Sequence, residues 1–378
     1  MEILAEKKIL QLGKYYPPEW GGIEQVTKDI HRYFGRILTI TTLVFTSGSN
    51  SSERDSGALI IRNSSKLNIS RQPVSLNYMK YYVKNSRDFD LIYLHYPNII
   101  AMFLVLLIKP KLLVVHWHSD LVGFNFLGLL MRPFEKMLLQ RSVRVVVTSQ
   151  VYAEHSTVLR KFLDKVDVIP IAAAPKTASL TSTDSFEQLR NIPIGEKKLC
   201  LTVGRLVGYK GLHKLIDAFS ETDDQHILVI AGQGPLKQEL HKKIVKNKLT
   251  KRVFILGKVE ENLLQYLFKS AECFILASNQ RSEAFGVVLI EALSYSLPII
   301  VHNNVGSGMT TIVEDNKNGF LVNLNKPETL NSALKSLDND NELLRLRKNA
   351  YDAYIRHYHD DAISKKYTQL FYKIWKVT

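Results

Sequence analysis

Cysteine is nearly absent from this chain of 378 residues: only Cys200 and Cys273 occur, each inside a short apolar segment. Two lone thiols make no disulfide framework, and the pattern fits a reducing cytosol. Long hydrophobic runs are also missing. The greasiest stretch, residues 99–108, stops after ten residues at Lys109-Pro110. That is half of what a bilayer crossing needs, so no transmembrane helix is expected. The opening MEILAEKKILQLG has too short an apolar run for a signal peptide and enters a strand instead, which argues for a cytoplasmic chain. There is no zinc-finger spacing and no RNA-binding aromatic signature, so nucleic acid is not an expected partner. Neither a G-x-G-x-x-G fingerprint nor the period of a solenoid is found.

What is present is enough apolar sequence for two cores: 46% hydrophobic residues over a length beyond the usual single domain. The formal net charge is +14, of which residues 1–174 carry +8 and the remainder +6. A surplus spread in this way favours anionic partners such as nucleotide diphosphates and phospholipid headgroups.

Short apolar strands alternate with helical patterns along the whole chain, the rhythm of parallel α/β structure. In the first half, strands are expected at 8–12, 37–45, 58–61, 90–94, 112–116, 143–148 and 166–170, with residues 47–56 as a polar loop. The first strand leads through Tyr15-Tyr16-Pro17-Pro18 to Gly21-Gly22 at the mouth of a helix, where a phosphate or an acceptor can sit. The strand at 112–116 ends in His116-Trp117-His118-Ser119-Asp120. Polar residues at the carboxyl end of a buried strand face the ligand crevice of a doubly wound sheet. His116 reads best as structural, and His118, past the strand end, as the candidate for ligand contact. Residues 121–131 are unusually apolar and precede an expected helix over 132–144 carrying Arg132, Lys136, Arg141 and Arg144. That combination reads either as a helix covering the sheet or as a basic, apolar patch on an anionic membrane surface.

Residues 172–183 read as a linker, after which the pattern restarts. Gly204-Arg205-Leu206 follows a strand, and Gly208-Tyr209-Lys210-Gly211 opens a helix, so a bent loop can aim Arg205 and Lys210 at one diphosphate. The backbone at Gly257-Lys258-Val259 can receive a base. The stretch SNQRSEAFGVVLIEALSYS, residues 278–296, organises this half. Read as a helix starting near Ala284, it offers free N–H groups, a positive dipole end and Gly286 at its mouth, with Phe285 beside it. Glu283 then lies at the entrance and Glu291 about two turns along, so the two carboxylates reach points roughly 12 Å apart on one extended ligand. Residues 303–308 read as a flexible polar turn, and 360–375 as a last amphipathic helix.

In this order KYYPPEWGGIE, VVHWHSD, VGRLVGYKG, AGQGP, SEAFGVVLIEALSYSLPIIV and NGFLV resemble the GT-B glycosyltransferases of the large retaining family 4, over nearly the whole chain. The resemblance implies two Rossmann-like domains facing across a cleft: an acceptor-side domain over 1–174, a nucleotide-sugar domain over 175–358, and a helix over 359–378 packing back on the first. It implies Gly21-Gly22 on the phosphate and acceptor side and His118 near the transferred sugar. Arg205 and Lys210 would hold the diphosphate, Glu283 the sugar hydroxyls with the Phe285-Gly286 amides nearby, and Glu291 the ribose, with Val259 toward the base. The implied activity is transfer of a hexose, mannose among the candidates, from a GDP- or UDP-linked donor to a lipid-linked or polysaccharide acceptor. O-antigen, lipopolysaccharide or exopolysaccharide synthesis at the inner face of the plasma membrane would be its setting. No tightly bound cofactor is implied, and no Asp-x-Asp metal motif accompanies the candidate residues, so no metal is expected. The rival reading is a non-enzymatic nucleotide-sugar or polyanion binder built on the same two domains.

Overall fold

Apolar runs that stay buried on both faces assemble into two separate parallel sheets. A computed structural model describes residues 7–19, 22–69, 72–121, 125–173, 187–281 and 283–376. The chain divides into two compact units, Met1–Ala172 with Asp361–Thr378, and Ala173–Asp360. Both are Rossmann-like.

The first unit carries strands β1 (Lys8–Leu12), β2 (Thr39–Thr46), β3 (Ser51–Asp55), β4 (Ala58–Ser64), β5 (Leu67–Ile69) and β6 (Gln72–Val74). β7 (Leu91–Tyr96), β8 (Leu113–Trp117), β9 (Arg144–Val147) and β10 (Val166–Val168) follow. Eight of them form one sheet in the order β10-β9-β8-β7-β1-β2-β4-β3, while β5 and β6 form a separate hairpin. Only β3 runs antiparallel in the large sheet. It corrects the polar loop expected at 47–56: Ser56 and Gly57, with φ of 51° and 89°, make a tight reversal that lays a polar strand along the sheet edge. Strand order reverses between β1 and β7, so the carboxyl ends of those two strands flank the switch point where such sheets bind ligands.

The apolar segment at 121–131 and the basic run after it are not separate elements. One helix, Asn125–Arg141, contains the described part of the first and most of the second; residues 122–124 lie outside the described residues. Arg144 is therefore no helical residue. It belongs to β9, where its Nε donates to Asp167 Oδ2 at 2.5 Å. Arg141 turns inward to donate to the carbonyls of Val105 and Leu106, satisfying acceptors left open at the end of helix Ile99–Leu107.

The second unit holds β11 (Lys198–Val203), β12 (His226–Ala231), β13 (Val253–Gly257), β14 (Cys273–Leu276), β15 (Ile299–His302) and β16 (Gly319–Val322). They pair in parallel as β13-β12-β11-β14-β15-β16, with the switch point between β11 and β14. Cys200 and Cys273 are opposite one another across those two strands, both buried and unbridged. Most of the linker expected over 172–183 lies outside the described residues, as does Gly21.

The last helix, Asp360–Lys376, buries Ile363, Tyr367, Leu370, Phe371, Ile374 and Trp375. Phe371 meets Phe34 edge-on at 5.1 Å and Tyr93 at 6.4 Å, while Tyr367 approaches Tyr33 at 6.5 Å. Lys373 Nζ donates to Asp167 Oδ1 at 3.2 Å. Phe371 is wholly buried, so Phe371→Ala should cost about 3–5 kcal/mol through lost transfer energy and the cavity left behind. A lower urea midpoint in the unfolding of the first unit checks this.

Candidate active site

At the switch point of the second unit, three loops are brought together so closely that only backbone fits between them. A Cβ on Gly232 would lie 1.8 Å from the carbonyl oxygen of Gly204, and one on Gly211 would lie 2.0 Å from that of Ala277. Gly204 N donates to Ala231 O, Gly232 N to Gly257 O and Leu206 N to Gln233 O, at 3.0, 2.7 and 2.9 Å. These bonds join the carboxyl ends of β11, β12 and β13 into a rigid platform. Val259 is half-buried just past β13.

From this platform Lys210 reaches across to the loop after β14. Its Nζ donates to Glu283 Oε2, and each side chain keeps 13% of its exposure. Ser278 Oγ donates to the same carboxylate oxygen at 3.1 Å, and Ser307 Oγ donates to the Glu283 carbonyl at 2.6 Å. Gly308 N donates to Ala284 O at 3.1 Å, and Arg281 Nε to Gly306 O at 3.0 Å. The turn at 303–308 is thus tied to the Glu283 loop rather than free: Ser307 is wholly buried, and Gly308–Thr311 forms a short 3-10 turn. Arg205 is exposed and its Nη2 donates to Tyr209 Oη at 3.2 Å, which keeps it beside Lys210. A narrow crevice lies between Gly204, Arg205, Lys210 and Leu276. The larger hollows of this unit lie elsewhere, between Asn191, Ile192, Thr250 and Phe254, and hold none of the candidate residues.

The helix after Glu283 starts later than the sequence suggests. It spans Val287–Ser294, because Gly286 has φ of 86° and cannot be helical. Glu291 therefore sits about one turn in, not two, and the 12 Å span expected from helical rise does not apply. Phe285 is buried against Tyr358, with ring centres 6.3 Å apart. A side chain at position 286 would press on Leu276 at 3.1 Å and Leu289 at 3.3 Å. Gly286 is itself buried at the start of the helix, where a larger residue would crowd the core.

His118 belongs to the first unit. Gly22 begins helix Gly22–Phe34 there, next to the undescribed Gly21. His118 stacks on His116 with ring centres 4.0 Å apart, and His95 lies 5.2 Å away. His95 and His116 are register partners on β7 and β8. His118 Nε2 is 2.9 Å from His95 Nδ1. The latter ring continues into a buried network with Gln11, Thr27, Thr42, His31 and Tyr16. His116 binds the Tyr93 hydroxyl at 3.1 Å. The three rings bring nitrogen atoms within 4.8 Å of one another. Yet they are stacked face to face, whereas metal ligands point their lone pairs at a common centre. Two Asp-x-Asp triplets do occur, at Asp88–Asp90 and Asp338–Asp340, and both lie away from the candidate residues. Asp90 accepts from Lys8 N at 2.9 Å and Asp338 from Lys198 Nζ at 2.8 Å, at the amino ends of the strands.

Sequence reasoning did not single out Ser278, Ser307, Gln11 or His95. Ser278 was visible as the first hydroxyl after an apolar strand, and His95 as a polar residue ending one; Gln11 and Ser307 gave no signal beyond their polarity.

Both halves of the chain match known family profiles. Residues 20–172 match Glycosyltransferase Family 4, and residues 184–353 match Glycosyl transferases group 1. The O-antigen chain mannosyltransferase C of Escherichia coli is 30% identical over 335 residues, 87% of either chain. The D-rhamnosyltransferase WbpZ of Pseudomonas aeruginosa is 30% identical over 337 residues, 87% of this chain and 86% of its own. Among solved structures, Anabaena Alr3699/HepE in complex with UDP superposes with a TM-score of 0.73 at 19% identity, over 97% of this chain and all of its own. Its complex with UDP-glucose gives 0.72 over 97% of this chain and 99% of its own, also at 19% identity. At such identity the likeness concerns the fold.

Burial holds His31, His95, His116 and His118 uncharged. It pushes His118 down to about 3 and His31 to about 4. His95 and His116 fall well below the ordinary value through burial and then repulsion from His118. A histidine lowered in the folded state contributes fully above its unfolded value near 6.5 and loses that contribution as pH falls. Unfolding of the first unit should therefore be pH-independent above about pH 7 and take up protons below about pH 6.5. Each such histidine should cost about 2 kcal/mol by pH 5. Denaturant unfolding across pH 4.5–8 measures this, and His31→Gln should flatten the slope.

Proposed function

The chain belongs to the family 4, group 1 glycosyltransferases of GT-B fold, and from that premise we propose that it moves a hexose, with retention of configuration, onto a lipid-linked or polysaccharide acceptor. It is a nucleotide-sugar-dependent enzyme. Mannose is the first sugar to try, because one of its relatives is described as an O-antigen chain mannosyltransferase. The observation that carries the proposal is the cluster of Arg205, Lys210 and Glu283 ahead of the helix that starts after Gly286.

In this reading the bond between the sugar's anomeric carbon and the diphosphate breaks, and its electron pair leaves on the β-phosphate. Arg205, Lys210 and the N–H groups at the start of helix Val287–Ser294 face that developing charge. Their worth lies in fixed orientation, at a few kcal/mol for each donor. Glu283, with the Phe285 and Gly286 amides, receives the sugar hydroxyls, Glu291 the ribose, and Val259 borders the base. Gly21 and Gly22 serve the phosphate and acceptor side. The acceptor oxygen bonds to the same face of the sugar, and its proton passes to the departing phosphate. His118, uncharged across the physiological range, contacts the sugar without serving as a proton-taking base.

Glu291→Ala should weaken nucleotide-sugar binding by about 1.5–3 kcal/mol, the worth of a hydrogen bond to a charged group. Lys210→Ala should weaken nucleoside diphosphate binding and leave nucleoside binding nearly unchanged. His118→Ala should lower turnover more than donor affinity. Calorimetry with UDP- and GDP-sugars, followed by nucleotide release with and without a lipid-linked saccharide, reads all three. Unchanged donor affinity in Glu291→Ala sinks the ribose assignment, and release that no acceptor stimulates favours a binding protein.

Peripheral attachment to the inner face of the plasma membrane is part of the same proposal. None of the described helices is long and apolar enough to cross a membrane. Helix Asn125–Arg141 exposes Leu129 at 58%, Leu130 at 54% and Met137 at 42%, alongside exposed Arg132 and Lys136. Arg141 and Arg144 are engaged in the fold, so the basic contribution rests on Arg132 and Lys136. Each is worth about 1 kcal/mol against anionic lipid. Flotation on anionic vesicles should fade with salt and drop in Arg132→Glu/Lys136→Glu; no binding at low salt would place the acceptor in solution.

A further inference from the structure

The buried network behind His118 has a direction. It starts at Asp55, which accepts from the Tyr16 hydroxyl at 2.6 Å. That hydrogen bond lowers the Asp55 carboxyl, which therefore has no proton to give. Having spent its only proton on Asp55, Tyr16 offers His31 Nδ1, 3.1 Å away, nothing but a lone pair. His31 is uncharged, so its single N–H lies on Nδ1 and its Nε2 must accept, with Thr42 Oγ1 2.6 Å away. The Gln11 carboxamide atom recorded as Oε1 lies 3.1 Å from Thr42 Oγ1 and 3.0 Å from His31 Nε2; with its proton given to His31, Thr42 can only accept there. A carboxamide keeps its outline when nitrogen and oxygen exchange places, so its hydrogen-bond partners decide its orientation. Here both partners on the Thr42 side can only accept, so the carboxamide is turned from its recorded orientation, in which Nε2 faces His95 Nε2 at 2.6 Å, to put the nitrogen toward Thr42 and the oxygen toward His95. A second anchor gives the same sense. The Thr27 hydroxyl donates to Ile23 O at 2.9 Å, so toward His95 Nε2, 3.5 Å away, it can only accept. His95 Nε2 is the donor from either side. Its Nδ1 accepts, and the partner 2.9 Å away is His118 Nε2.

We propose that this chain of hydrogen bonds fixes His118 as the tautomer protonated on Nε2. Its Nδ1 is then an unprotonated acceptor for one hydroxyl of the bound sugar or acceptor, with Gln11 and His95 as positioning residues. Nδ1 has no hydrogen-bond partner among the described residues. Every proton in the series points away from His118 toward Asp55, so the tautomer is set from a surface carboxylate through the sheet. A hydroxyl donating to Nδ1 is held by its proton, which orients the oxygen lone pairs. The inference rests on the reading that His118 contacts substrate, but its nitrogen assignment can be measured without substrate.

The test uses the full chain labelled with 15N-histidine, in long-range proton–nitrogen spectra at pH 7, with His118→Gln to assign the signals. An unprotonated shift at His118 Nδ1 and a protonated one at Nε2 is expected. The reverse pair, or two averaged shifts, overturns the proposal. His95→Phe keeps a ring in the stack and removes the acceptor. Its His118 shifts should move toward averaged values and kcat should fall at least fivefold, with donor Kd unchanged. A folded His95→Phe protein with wild-type kcat and wild-type His118 shifts also overturns it. Should the wild-type shifts come out as expected while His118→Ala keeps full turnover, the substrate contact fails and the wiring stands.

Discussion

The contact between Lys210 and Glu283 is the constraint around which the second unit is arranged. Two opposite charges, each mostly withdrawn from water, are tolerable only together, because removing either leaves the other uncompensated. The pair therefore fixes the loop after β11 against the loop after β14, the two strands that flank the switch point. Gly211 allows that approach, since a side chain there would lie 2.0 Å from the Ala277 carbonyl oxygen. Ser278 and Ser307 hold Glu283 by its carboxylate and its carbonyl. Under the proposed assignment, a donor diphosphate entering this cluster would exchange one anion on Lys210 for another and free the displaced carboxylate toward the sugar.

The first unit uses the same strand ends with the opposite electrostatic strategy. His95, His116 and His118 are stacked, hydrogen-bonded and uncharged. If His118 contacts the sugar as proposed, its neutral imidazole adds no opposing charge to a centre that is itself becoming positive. Within the second unit, the proposed donor site puts positive charge, Arg205 and Lys210, where the diphosphate leaves and a carboxylate, Glu283, where the sugar is held. That division of labour is the main physical argument for group transfer over simple binding.

Much of this was legible in the sequence, for a reason that also explains the exceptions. Buried parallel strands are largely apolar runs, so β1 falls on the expected residues 8–12 and the loop after it follows. Where apolarity does not decide, the reading slipped. β3 is polar because it lies at an edge, and only its Ser56-Gly57 reversal betrays it. The helix after Glu283 begins at Val287 because of a backbone angle at Gly286 that composition does not reveal. Arg141 and Arg144 looked like surface charge, but one satisfies the end of a neighbouring helix and the other pairs with Asp167 from a strand. His95 and Gln11 contribute through partners 84 residues apart, a relation that no local pattern encodes.

The exchange on Lys210 is tested most directly by Glu283→Gln, measured by calorimetry against a nucleoside diphosphate and against the matching nucleotide sugar. The substitution keeps the shape and removes the anion that competes for the ammonium. The diphosphate alone should bind as tightly as in the native protein or more tightly, while the nucleotide sugar loses about tenfold or more in relative affinity, about 1.4 kcal/mol. Equal losses for both ligands would contradict the account, because Glu283 would then support the loop alone and neither compete for Lys210 nor hold the sugar.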